Sequence, residues 1–522
     1  MSEVFEKRIS GLEDAATPPC LAGGRKGIEK ESLRVTADGA LALTPHPAGL
    51  GSALTNQFIT TDFSEALLEF VTPAYSNTWE ALQSLCDIHQ FVYSQLGDEM
   101  LWPSSMPCAM LPDKEIPLAL YGDSNVGKMK TIYRNGLSYR YGRTMQTIAG
   151  IHFNYSVPTS FWPVYQGLEG DTGDLDDFRS AAYFGLVRNF RRFGWLVLYL
   201  FGSSPALCKS FLRDNDIGLP SFNENTFYQP YATSLRMSDL GYNSSTQASI
   251  KISLNTLDDY VRDLSAAIST PEPEYEKIGV KVDGEYRQLN VNKLQIENEF
   301  YSPVRPKRVA ESGERPTTAL QRGGVEYVEI RSLDINLFDP VGISQNTMRF
   351  MEAFLVYCLL EESPPFDDAA FAEAARNHSR AATEGRDPEF KLRRDGREVR
   401  LQDWAREILE HVERIARMID CACDRADYVP AVQTQQELLD NPDATPSARI
   451  LKDMRDADIG FFHYALQAAN NHRDYFAGLP NPTDERMEAL AKEAAESLER
   501  QAEIEAADSI SLDKYLEQWF AA

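Results

Sequence analysis

Two glutamates one residue apart, Glu29 and Glu31 in Gly27-Ile28-Glu29-Lys30-Glu31-Ser32-Leu33-Arg34-Val35, are the first residues whose spacing suggests chemistry. Side chains alternate along an extended strand, so both carboxylates share one face with Leu33 and Val35. Carboxylates held that close repel unless a cation sits between them, and a hard divalent ion such as Mg2+ is the usual remedy. Taken alone, the pair is better explained as solvated acids on an exposed strand. Glu69 strengthens the case, because Ala66-Leu67-Leu68-Glu69-Phe70-Val71 is an apolar run that predicts burial, where a lone carboxylate is costly.

A third acidic strand, Val325 to Leu333, places Tyr327, Glu329 and Arg331 on one face. The spacing fits a simple neighbouring ion pair. It fits equally an acid and a guanidinium arranged to stabilise a transferring phosphoryl group. His152 shares a face with Asn154 and Ser156, opposite Ile151, Phe153 and Tyr155, and a lone histidine is more often structural than liganding. Gly122-Asp123-Ser124-Asn125-Val126-Gly127-Lys128 nearly spells a phosphate-binding loop, but Met129 stands where the magnesium-holding hydroxyl belongs. No dinucleotide fingerprint or nucleophile elbow is present.

These residues need a scaffold. A chain of 522 residues, 43% hydrophobic and 25% charged, can bury a substantial core. Asp38-Gly39 and Asp283-Gly284 sit between strand-like runs and predict hairpins, hence an antiparallel or mixed sheet. Helical spacing runs from Trp79 to Tyr93, Ser180 to Phe201, Asn346 to Leu360 and Leu401 to Cys423. Near the C-terminus Met487, Leu490, Ala491, Ala494 and Leu498 form one stripe, predicting a packed helix face. Residues 361–395, rich in Glu, Asp, Pro, Ala and Arg, read as a surface excursion or mobile connection. The expected division is a sheet-and-helix core over 1–345 and a mainly helical part over 346–522, joined as one compact unit.

A net charge of −26 argues against nucleic acid as a partner, since that binding draws on Lys and Arg. The N-terminus lacks a secretory pattern, and the most apolar run, Gly194 to Phe201, is too short to span a bilayer. A cytoplasmic protein without membrane contact is expected. The seven cysteines show no paired metal or disulfide spacing, so reduced thiols are expected.

GIEKESLRV (27–35), HPAGLGSALTNQFITTDFSEALLEFVTP (46–73), TIYRNGLSYRYGRTMQTIAGIHFNYS (131–156), YATSLRMSDLGY (231–242), LQIENEFYSPVRPKR (294–308) and GGVEYVEIRSLDINLFDPVG (323–342) together resemble the proteobacterial glutamate-cysteine ligase family. The likeness covers about the whole chain and is strongest from 25 to 345. It implies an α+β fold similar to glutamine synthetase, with a curved, largely antiparallel sheet forming a funnel, packed helices and a helical C-terminal part. It implies ATP- and Mg2+-dependent ligation of the glutamate γ-carboxylate to cysteine, with Mn2+ an alternative ion, through an acyl phosphate. Glu29, Glu31, Asp62, Glu69, His152 and Glu329 are then implied to surround the metal ions and the glutamate, with Arg331 at the transferring phosphate; Glu29, Glu329 and Arg331 carry the chemistry. Arg236 would meet the glutamate carboxylate, and Tyr133, Leu137, Gln146, Tyr242 and Tyr301, with Arg134 at the mouth, would shape the cysteine pocket. The small-molecule partners are glutamate, cysteine and ATP, and the implied state is a monomer or small homo-oligomer. A related carboxylate-amine ligase with another amine, or a non-catalytic amino-acid- or nucleotide-binding protein, are the competing readings.

Overall fold

The computed structural model describes residues 3–14, 18–212, 218–240, 250–311, 313–480 and 482–521. Arg25–Val35 (β1) is the longest strand, and the main sheet is laid around it. Ile59–Thr61 (β2), Leu67–Val71 (β3), Met100–Leu101 (β4), Ile151–Ser156 (β5), Val304–Lys307 (β6) and Tyr327–Leu333 (β7) complete it. The order is β6-β7-β5-β1-β3-β2, with β4 on the far end of β1, and every pairing is antiparallel. The expectation of an antiparallel or mixed sheet therefore holds, as does the α+β fold that the resemblance implies. Pro306 lies on edge strand β6, where a missing N–H costs no ladder bond on the open side.

The period-two alternation of β1 gives the sheet two unlike faces. Glu29 and Glu31 point one way, while Lys26, Lys30 and Arg34 point the other and are buried. Lys26 and Arg34 each meet a carboxylate, as burial of charge demands, while Lys30 meets an imidazole and burial pushes its ammonium down to about 7. Lys26 Nζ lies 2.7 Å from Glu352 Oε2, Arg34 Nη1 2.7 Å from Glu99 Oε2, and Lys30 Nζ 2.7 Å from His89 Nε2. Around them Ile28, Leu68, Phe70, Phe153, Tyr155, Val328 and Ile330 form the back of the sheet. The Thr78–Gln95 helix covers β1 and β3, the Leu175–Phe193 helix covers β6 and β7, and the Gln345–Leu360 helix packs between those two helices. The last is apolar nearly all round, as befits a helix enclosed on every side. Among the described residues no helix is long and apolar enough to cross a membrane.

Several expectations change. The helix expected from Ser180 to Phe201 breaks at Gly194 into Leu175–Phe193 and Trp195–Phe201. Residues 361–395 are not a loose connection, because Asp368–Glu384 forms a helix that buries Ala374, Asn377, Ala381 and Ala382. Its alanines give both the helical propensity and the close packing that the acidic composition disguised. Asp283-Gly284 does close a two-residue turn, with φ of 53° and 90°, and Asp395-Gly396 closes another between Lys391–Arg394 and Arg397–Arg400. At Asp38-Gly39 the chain reverses, but only the single bridge Val35↔Leu41 follows. The Asp484–Ala507 helix buries Leu490, Glu493, Ala494 and Ser497, whereas Ala491 and Leu498 are exposed. Its face is rotated because it docks on a polar loop by hydrogen bonds: Ser52 N–H donates to Ser497 Oγ (2.9 Å) and Gln57 N–H to Glu493 Oε1 (2.9 Å). Finally, Cys108 and Cys208 form a disulfide, so reduced thiols describe only Cys20, Cys86, Cys358, Cys421 and Cys423. Partners a hundred residues apart carry no spacing signal that sequence could show.

Candidate active site

The sheet register assembles the acidic face from four strands. Glu31 pairs with Glu69 across β1 and β3, Glu29 with His152 across β1 and β5, and Glu329 with Asn154 across β7 and β5. All of these side chains stand on the same face, since each position is linked by direct cross-strand opposition or a period of two. His152 is the hub. Its Nδ1 lies 2.9 Å from Glu29 Oε2 and 3.6 Å from Glu329 Oε1, and its Nε2 lies 3.7 Å from Glu31 Oε1. Among the described residues two groups could hold a metal ion, Glu29-His152-Glu329 and Glu31-Glu69-His152, each with ligand atoms within 4.8 Å of one another. Asp62 belongs to neither set. It follows β2, where its N–H donates to the Leu67 carbonyl (3.0 Å), and its charge acts on Glu31 and Glu69.

Backbone and amide donors fix the carboxylates. Asn154 Nδ2 donates to Glu29 Oε1 (2.9 Å), and Gly150 N–H donates to Glu31 Oε2 (2.6 Å). Arg331 Nη1 lies 2.9 Å from Glu329 Oε1 and 3.4 Å from His152 Nδ1, so the period-two pair read from the sequence is an ion pair inside the cluster. Lys307 Nζ and Arg305 Nη1 stand 3.7 and 3.9 Å from Glu329 Oε2. Sequence reasoning missed these two cations. Their signal was the spacing Arg305-Pro306-Lys307 on a strand, but only the register with β7 sets them beside Glu329.

Charge is unevenly compensated. Burial pushes the Glu69 carboxyl well above the usual range, and repulsion from Glu29, Asp62 and Glu31 adds to it. Burial also raises Glu31, against the opposing pull of His152, Arg236 and Arg331. Glu329 is buried too, yet Lys307, Arg331 and Arg305 hold it well below the usual range. Burial opposes ionisation of Glu29, but the His152 hydrogen bond leads the effects that keep it low. The Glu31-Glu69 side therefore has an unmet demand for positive charge, which a divalent cation with carboxylate ligands satisfies. Buried polar atoms without a hydrogen-bond partner cluster here as well: Glu329 Oε2, Asn154 Oδ1, Arg331 Nε and Arg236 Nε. Orphans gathered at one place have hydrogen-bonding capacity that a ligand, an ion or water can take up.

Of the remaining predicted residues, Arg236, Tyr301, Tyr133 and Arg134 are tied to this face by hydrogen bonds or charge. Arg236, 3% exposed, donates from Nη2 to the Arg331 carbonyl (3.0 Å), with Nη1 3.7 Å from Asp334 Oδ1. Asp334 in turn accepts from Ser203 N–H (2.8 Å), Ser204 Oγ (2.6 Å) and Ser234 Oγ (2.9 Å). Tyr301 O–H donates to the Met237 sulfur at 3.2 Å, and the charges of Arg236 and Arg331 act on its hydroxyl. Tyr133, Arg134 and Leu137 lie on the Asn125–Tyr141 helix, where Arg134 donates to the Asp62 carbonyl and stacks on Tyr121 at 4.5 Å. Burial raises the Tyr133 hydroxyl, and the charges of Glu299 and Asp62 raise it further. Gln146 sits in the short Thr144–Thr147 turn, and Tyr242 lies outside the described residues. The loop that resembles a phosphate-binding loop begins this same helix, but carboxylates already fill its N-terminus: Asp123 N–H donates to Glu505 (2.8 Å) and Asn125 N–H to Asp508 (2.5 Å). Beyond Glu29 the face opens into a cavity of about 560 Å3, whose lining includes Arg25, Glu29, Asn154, Arg308, Glu326 and Tyr327.

The sequence pattern of the family described as Glutamate-cysteine ligase matches residues 9–381. A glutamate-cysteine ligase of Alcanivorax borkumensis is 52% identical over 523 residues, covering 99% of each chain. One from Pseudomonas entomophila is 49% identical, covering 97% of this chain and 95% of the relative. The crystal structure of a glutamate-cysteine ligase from Francisella tularensis in complex with AMP superposes with a TM-score of 0.90 at 36% identity, covering 96% of this chain and 98% of that one.

Proposed function

The chain belongs to the glutamate-cysteine ligase family, and we propose that the acidic sheet face is where its three substrates meet. The enzyme joins glutamate to cysteine with cleavage of ATP to ADP, the first step of glutathione synthesis. In the proposed arrangement Glu29, Glu329 and His152 hold one ion and Glu31 and Glu69 a second, with Asp62 near the second and Mg2+ or Mn2+ as the metal. Bound there, the ions offset charge between the triphosphate and the glutamate γ-carboxylate, two anions that otherwise repel.

The face is polarised along β1, and that gradient orders the substrates. The cavity with Arg25 and Arg308 lies at the Glu29 end and suits the nucleotide. Arg236 and Gly150 lie at the Glu31 end and suit the amino acid. The γ-carboxylate then meets the γ-phosphate between them, beside Arg331, which stabilises charge on the transferring phosphoryl group. An acyl phosphate forms, and Tyr133, Arg134, Leu137, Gln146, Tyr242 and Tyr301 direct the cysteine amine onto it. The observation that carries this reading is the convergence of orphaned polar atoms from Arg236, Arg331 and Glu329 beside two metal-competent acid groups. A cytoplasmic location belongs to the same proposal, since the reaction consumes ATP and a reduced thiol.

The test is ADP release by purified protein with ATP, Mg2+ and glutamate, with cysteine or a panel of other small amines. Cysteine-dependent release with γ-glutamylcysteine as product is expected. Faster release with another amine would favour a different carboxylate-amine ligase, and no release with any amine would favour a non-catalytic binding protein.

A further inference from the structure

We infer that Gly150 is a positioning residue for glutamate, in that the space left by its missing side chain fixes the Arg236 guanidinium where the substrate carboxylate meets it. This rests on the reading of Arg236 given above and goes beyond it in naming what holds that side chain.

Gly150 directly precedes β5 and is tied to β1 through its backbone alone: its N–H donates to Glu31 Oε2 (2.6 Å) and its carbonyl accepts from Glu31 N–H (3.1 Å). A Cβ placed on Gly150 would lie 1.9 Å from Arg236 Nη2, 2.6 Å from Cζ and 3.0 Å from Nε. Carbon and nitrogen cannot approach so closely, so one of the two must move. The backbone of Gly150 is not in the left-handed region, so alanine is conformationally acceptable there. What it would strike is the end of a long, flexible side chain, which can yield without disturbing the fold.

Yielding has a specific consequence. The guanidinium is held by the Arg331 carbonyl, 3.0 Å from Nη2, by the Met237 sulfur, 3.1 Å from Nη1, and by Asp334, 3.7 Å from Nη1 and itself fixed by three donors. Nε is the nitrogen left without a partner, and it is among the atoms a Cβ would crowd. An added methyl therefore displaces the guanidinium from its clamp. The backbone bonds between Gly150 and Glu31 survive the change, so the metal side of the site is untouched.

The experiment measures KM for glutamate and for ATP, with thermal unfolding, in Gly150→Ala, Arg236→Ala and the double variant. Gly150→Ala should raise the glutamate KM roughly 10- to 100-fold, the range for loss of a hydrogen bond to a charged group, and leave the ATP KM within about twofold. The double variant should match Arg236→Ala, because both changes act through one guanidinium. An unchanged glutamate KM in Gly150→Ala, with the Arg236→Ala value raised, overturns the inference and leaves the role of Arg236 standing. An unchanged glutamate KM in Arg236→Ala overturns that role and the inference with it. Additive effects would show that Gly150 acts elsewhere. Should Gly150→Ala alone fail to fold, the double variant must fold, since it removes the atoms in collision; failure of both overturns the inference.

Discussion

Replacing Arg331 with alanine separates what the cluster needs for stability from what it needs for chemistry. Glu329 faces three cations, with Arg331 at 2.9 Å, Lys307 at 3.7 Å and Arg305 at 3.9 Å. At an effective dielectric of about 20, unit charges at those separations attract by roughly 6, 4.5 and 4 kcal/mol before desolvation is counted. The variant thus keeps roughly three fifths of the attraction on Glu329, and it no longer has to desolvate Arg331. Its loss of stability should be on the order of 1–2 kcal/mol, below the 3–5 kcal/mol of a lone buried pair that is severed. The chemical loss should be larger, because an arginine at a transferring phosphoryl group is worth roughly 10³- to 10⁵-fold in kcat, about 4–7 kcal/mol. Cysteine-dependent ADP release and urea unfolding, measured on the same preparation, give both numbers. A fall in kcat below about tenfold, or a stability loss as large as the kinetic one, would refute the placement of Arg331 at the phosphate.

Two further predictions concern the scaffold. Burial, assisted by the charge of Lys30, pushes the His472 imidazole down to about 4 from an ordinary 6.5. Between those values the unfolded chain takes a proton that the folded one refuses, so stability is lost as pH falls through the window, by roughly 1.4 kcal/mol per unit for this residue. His472→Gln should flatten that slope in urea unfolding between pH 7 and 4.5, and an unchanged slope would contradict the assignment. The Cys108–Cys208 bond closes a loop of about a hundred residues. Reduction, or Cys108→Ala, should therefore cost about 2–5 kcal/mol of stability in the same assay, and an unchanged midpoint would show that the bond does not constrain the unfolded chain.

The sequence made the acidic face legible because strand alternation is a strict local rule, and it assigned Glu29, Glu31, His152, Glu329 and Arg331 to their faces without tertiary information. What lies opposite a residue is not local. Arg305 and Lys307 act on Glu329 only through the β6-β7 register, and Asp334 reaches Arg236 only because the chain returns through Ser203, Ser204 and Ser234. Helical periodicity likewise found the Asp484–Ala507 helix but not its inward face, since Glu493 and Ser497 dock by hydrogen bonds and an apolar-stripe argument overlooks polar contacts. The Asp368–Glu384 helix escaped notice because its small alanines leave a weak hydrophobic signature amid charge.

The most direct measurement of the central claim is Mn2+ binding to nucleotide-free protein, followed by electron paramagnetic resonance in the wild type, Glu29→Gln and Glu31→Gln. The site predicts tight binding in the wild type, a marked loss in each variant and unfolding curves that remain close to wild type. Undiminished Mn2+ binding in both variants would contradict it, because the ions would then lie somewhere other than on the face that β1 builds.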